Sequence, residues 1–166
     1  MMKRISVILG VVAASIALAA VTVQGAKGGG FVRNAAGAEA YCWMDVKKAN
    51  NGTEVRVGGP ARVRTQRRDG DHVIVTEIGM PKADELIKDG RSVAFAGHAL
   101  LVISVDGNVR VRREGRLQGL VTDRRSPEHP GDPDTVRLKF TAPTGNPWEF
   151  AGLLVRGDIA VYQRTE

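Results

Sequence analysis

The sequence predicts an all-β fold, an antiparallel small barrel or sandwich of about eight to ten strands with one short helix. Three observations predict it. Past residue 38, apolar and polar residues alternate with period two in short runs rich in Val, Ile and Thr. Gly, Asp, Asn and Pro separate those runs, and the pairs Asp69-Gly70 and Asp106-Gly107 are strong hairpin signals because glycine accepts positive φ. Residues 38–166 are long enough to bury one core, and with a single cysteine the chain has no internal disulfide to rely on.

Taken in order, strands are expected near 39–47, 53–58, 61–68, 72–78, 98–105, 108–113, 116–122, 135–141, 148–155 and 159–164. In "EVRV" Val55 and Val57 alternate with Glu54 and Arg56, and in "ARVRT" Val63 and Thr65 alternate with Arg62 and Arg64. Asp69-Gly70 turns the chain into "DHVIVTEI", and Asp106-Gly107 turns "ALLVISV" into "NVRVRR". Two further reversals are expected, at Glu114-Gly115 and at Arg156-Gly157-Asp158. The second spells an integrin-recognition tripeptide, but a turn between apolar strands accounts for it. "PKADELIKDG" predicts the helix, with Pro81 in its first turn, Asp84 and Glu85 early, Lys88 late and Gly90 as the stop. "RRSPEHPGDPD", residues 124–134, holds three prolines and no apolar side chain, as a long surface loop does.

The N-terminus has the pattern of a signal peptide. Lys3 and Arg4 precede an uncharged run, Ile5–Val23, and no further charge occurs until Lys27. Gly25 and Ala26 offer small residues for cleavage ahead of Lys27. The expected organisation is therefore a leader over 1–26, a flexible lead-in over 27–37 ("KGGGFVRNAAG") and one β-rich domain over 38–166. The alternative is an uncleaved anchor: residues 5–23 as a helix would reach about 28 Å, near the hydrocarbon thickness. Either way the domain is expected outside the cytoplasm, periplasmic or extracellular, and any membrane contact runs through this segment alone. With Cys42 as the only cysteine, an N-terminal lipid anchor is excluded. The formal net charge of +6 falls to +4 without Lys3 and Arg4, a modest basic excess carried mostly by arginine.

The arginines permit two readings. Alternation such as Val109 and Val111 against Arg110 and Arg112 is what a sheet with one wet face requires. If the hairpins are neighbours, Arg62, Arg64, Arg110, Arg112 and Arg116 form a candidate anion site, with an envelope polymer as the outside partner. Sequence-specific nucleic-acid binding is not expected, since no aromatic interrupts the arginine runs. The C-terminal strands carry a second candidate, an apolar ligand cavity lined by Trp148, Phe150 and Leu154.

Catalytic, metal and cofactor residues are assigned to none. His72, His98, His129 and Cys42 lack metal-ligand spacing, and no Gly-x-Ser-x-Gly elbow occurs. The loop with His129, Asp132 and Asp134 offers too few oxygens for calcium. Asp84 and Glu85 suit a helix start better than an acid/base pair. Cys42 is expected to be a small buried apolar residue, and Asn51-Gly52-Thr53, a formal glycosylation sequon, a plain turn. The expected function is an exported, non-enzymatic binding or envelope-associated module. The rivals are a barrel for a small apolar ligand, a basic surface for anionic polymer, and a hydrolase whose site assembles only in three dimensions.

Overall fold

The computed structural model describes residues 20–125 and 130–166, which form ten antiparallel strands and no helix. Residues 1–19 of the leader expected over 1–26, and residues 126–129 of the loop with His129, lie outside the described residues. The strands are β1 (Thr22–Arg33), β2 (Glu39–Asn50), β3 (Val55–Gly58), β4 (Ala61–Asp69), β5 (His72–Met80), β6 (Glu85–Asp89), β7 (Ser92–Val105), β8 (Asn108–Thr122), β9 (Thr135–Thr141) and β10 (Trp148–Thr165).

These strands close into a barrel. β1 pairs with β2 on one side and β10 on the other, and the circuit continues through β9, β8, β7, β5 and β4 back to β2. β3 pairs with β2 in the same register as β4, so the two are one strand interrupted at Gly59-Pro60. β6 prolongs β5 along β7, but seven residues from Gly79 to Glu85 oppose five from Leu100 to Ala96. The two extra residues are absorbed at Pro81–Asp84. The result is a closed eight-stranded meander whose neighbours in sequence are neighbours in the sheet.

The inside is apolar and packed. Ala40, Cys42, Met44 and Val46 of β2, Leu117 and Val121 of β8, and Val136, Leu138 and Phe140 of β9 belong to one buried cluster. Inward-facing glycines admit the large side chains. A Cβ on Gly119 would stand 2.2 Å from the Phe95 ring, and one on Gly97 would stand 2.7 Å from Met80 Sδ. Small opposite large fills the bore of a narrow barrel.

Four expectations are corrected. Residues 81–90 are a bulge followed by β6, with Leu86 buried and Ile87 exposed, a period-two pattern that pairs with β7 instead of closing a helix. Glu114-Gly115 is no reversal, since β8 runs straight through it. Gly115 is there because the Phe140 ring lies 2.7 Å from where its Cβ would be. Arg156-Gly157-Asp158 is no hairpin either, because β10 is one strand of 18 residues. Finally, Lys27–Arg33, expected as a flexible lead-in, form most of the strand that closes the barrel. A Cβ on Gly30 would lie 1.8 Å from the Arg156 carbonyl oxygen, and one on Gly157 would lie 2.1 Å from that of Gly29. These glycines permit close strand contact, a role that looks identical to flexibility in sequence.

The two Asp-Gly hairpins are present. Val105 pairs with Asn108 around Asp106 and Gly107, whose φ angles of 50° and 78° are the positive pair a two-residue turn demands. Asp69 pairs with His72 around Gly70 and Asp71.

Candidate functional site: a cleft on the outer barrel wall

Pairing register fixes which side chains share the outer wall. One row crosses Trp43, Arg62, Gly79, Leu100 and Glu114, and the next crosses Tyr41, Arg64, Glu77, Val102 and Arg112. Each residue sits opposite an inward-facing neighbour, as the pleat requires: Cys42 is buried between Tyr41 and Trp43. Burial pushes the Cys42 thiol up to about 12.

Gly79 is the low point of this wall. No atom comes within 4 Å of a Cβ built there, so the row opens where a side chain would have stood. Trp43 and Leu100 rise on either side, and Pro60 and Pro81 close one end. The cleft has a volume of about 920 Å³, and Arg62 and Glu77 bring both charges to its lining. Trp43 is 38% exposed and Tyr41 40%, high values for aromatics on a sheet. Phe31 meets Tyr41 edge-on at 5.4 Å, and the Arg156 guanidinium lies 4.1 Å over the Phe31 ring. The aromatic band thus continues from the cleft onto Phe31 of β1, where Arg156 of β10 covers it.

The five candidate arginines divide. Arg62 and Arg64 extend outward from β4, and Arg112 shares the row of Arg64 on β8, with Arg110 nearer the turn. β5 and β7 separate the pairs, so three strand spacings set them about 14 Å apart. They cannot grip one phosphate together, but they border one band. Arg64 approaches Glu77 at 3.6 Å, whereas Arg62, Arg110 and Arg112 form no ion pair among the described residues. Arg116 lies apart and is engaged: it donates to both oxygens of Asp84 at 3.0 and 2.7 Å and reaches Glu85 at 2.8 Å. That bond to Arg116 is the main reason the Asp84 carboxyl lies below its ordinary value. The acidic pair expected to start a helix instead ties the β5–β6 bulge to β8.

Trp148, Phe150 and Leu154 do not surround an opening. Phe150 and Leu154 are buried in the core cluster, and Trp148 stacks on Phe150 at 6.1 Å. Phe150 also borders a shallower outer cleft of about 510 Å³ over Leu120. Among the described residues no cluster of His, Cys, Asp and Glu is arranged to hold a metal ion. Asp134, in the loop with too few oxygens for calcium, is fully buried and accepts from the Arg124 and Ile159 amides at 3.1 Å each. Asn51 makes the expected turn, its side-chain oxygen accepting from the Thr53 and Glu54 amides.

No family model, curated protein or solved structure matches this chain.

Sequence reasoning missed Tyr41, Trp43, Gly79 and Leu100 as a group. "YCW" and "HAL" carry the alternation that puts the large residues outside, yet only pairing across β4 and β5 brings them together.

Proposed function

We propose that this chain is an exported binding module that takes an anionic envelope polysaccharide along its outer wall. The observation that carries the reading is the cleft: half-exposed Trp43 and Tyr41 beside Arg62, over a floor opened by Gly79. A sugar ring has an apolar face that packs on an aromatic side chain and a rim that hydrogen-bonds. Carboxylate or phosphate groups along such a chain suit guanidinium donors, and Arg62, Arg64, Arg110 and Arg112 are spaced for successive charges. Phe95, Phe140 and Phe150 occupy the bore where an apolar ligand would sit, which favours the outer wall.

Alginate oligosaccharides provide the test, read by tryptophan fluorescence with neutral dextran as the control. Alginate is expected to perturb Trp43. Binding followed by calorimetry is expected to be lost in Trp43→Ala, to weaken at least tenfold in Arg62→Gln, and to fade near ~1 M salt, where charges are screened within about 3 Å. Binding that survives both substitutions, or equal binding of dextran, overturns the reading.

A further inference from the structure

We infer that the leader is cut between Ala19 and Ala20, and not ahead of Lys27; this rests on the export reading above. The reason is β1. Thr22 pairs with Asn50 and with Thr165, and each residue down to Ala26 is matched on both neighbours, ending at Val46 and Val161. Val21 extends the ladder, exchanging backbone hydrogen bonds with Glu166 at 3.1 and 2.9 Å. Cutting after Ala26 would remove this half of the closing strand. Buried Val23 and Ala26 would leave the core, and β2 and β10 would each gain a free edge over five residues. A processed protein that keeps its barrel must keep residue 22.

The sequence offers a cut just before that limit. Ala17-Leu18-Ala19 presents small residues at the −3 and −1 positions, the arrangement leader cleavage requires. Cleavage after Ala26 would instead put Gln24 at −3. With the cut at Ala19, the apolar stretch ahead of the recognition residues is Ile5–Ile16, twelve residues, within the usual range of ~7–15. The strand also weighs against an uncleaved anchor. Because Thr22 belongs to β1, only residues 5–21 are left to span, about 25 Å of helix against a hydrocarbon core of about 30 Å.

The full chain, expressed with its own leader in a bacterium that has a periplasm, provides the test. Intact mass of the periplasmic protein is expected to give a chain beginning at Ala20. Ala19→Phe, with a bulky −1 residue, is expected to accumulate precursor. A chain beginning at Lys27, or anywhere within β1, overturns the inference. So does an uncut chain whose barrel is digested by protease added outside spheroplasts, a result that leaves export standing. An uncut chain protected inside the cytoplasm overturns export itself.

Discussion

The barrel has two unlike walls. The seam, β2–β1–β10, runs through Gly28–Gly30 and Gly157, and its strands approach so closely that carbonyl oxygens occupy the space of missing Cβ atoms. The opposite wall, β4–β5–β7–β8, alternates valine, isoleucine and leucine with arginine, and its glycines at 70 and 107 stand in turns with nothing around them. The seam is also fastened from within, by buried Asp134 joining Arg124 to Ile159. The other wall is fastened from outside, where exposed Asp106 accepts from the Val73 amide at 2.8 Å and meets His72 Nδ1 at 2.6 Å. Glycine therefore serves differently in the seam and in the turns. In the seam a Cβ has no room and φ is positive as well, while in the turns φ alone calls for glycine.

The largest expected effect tests that contrast. Gly30→Ala forces a Cβ to within 1.8 Å of a backbone oxygen, and neither closing strand can yield without breaking its ladder. A loss of about 4 kcal/mol or failure to fold is expected in urea denaturation. Gly70→Ala, with φ +60° and open space, should cost only about 1 kcal/mol, the left-handed penalty alone. Equal losses would break the distinction.

Asp134→Ala comes next. It strands two backbone donors, one of them on fully buried Ile159, and on the order of 3 kcal/mol should be lost. Hydrogen exchange should locate the damage at Ile159 and its β1 partner Gly28, with the Asp106 turn unaffected.

Asp106→Asn should have the smallest effect, and it sharpens the comparison through pH. The Val73 amide first, and then His72, hold the Asp106 carboxyl below its ordinary value. A carboxyl lowered by folding stabilises the native state above its unfolded value, near 3.8, and that contribution disappears as pH falls through the folded value. Thermal unfolding of Asp106→Asn is therefore expected to flatten slightly below pH ~4 relative to wild type. An identical acid profile would show that the bond adds nothing at this exposed site.

Much of the fold was legible because the pleat imprints directly on sequence. Val63 and Thr65 alternate with Arg62 and Arg64 because one face is dry, and Asp106-Gly107 marks a turn because both residues take positive φ. The errors fell where one local pattern serves two structures. "KGGG" is flexible in a linker and close-packed in a seam, and the difference lies in Arg156 and Asp158, more than a hundred residues away. "PKADELIKDG" holds helix signals of charge and proline, but the free edge of β7 over Ser92–Ala96 gave Glu85–Asp89 a partner that a two-turn helix could not match. The cleft was illegible for the same reason, since Trp43, Gly79 and Leu100 belong to three strands.

By itself the sequence determined the all-β class, the alternation of dry and wet faces and the two Asp-Gly turns, because each depends on residues within a few places of one another. Only the tertiary structure decided that the sheet closes, that β1 is the strand that closes it, and that the arginines border an aromatic cleft. Those depend on which strands become neighbours. That choice is set by the summed packing of the bore, where Phe95 needs Gly119 and Met80 needs Gly97.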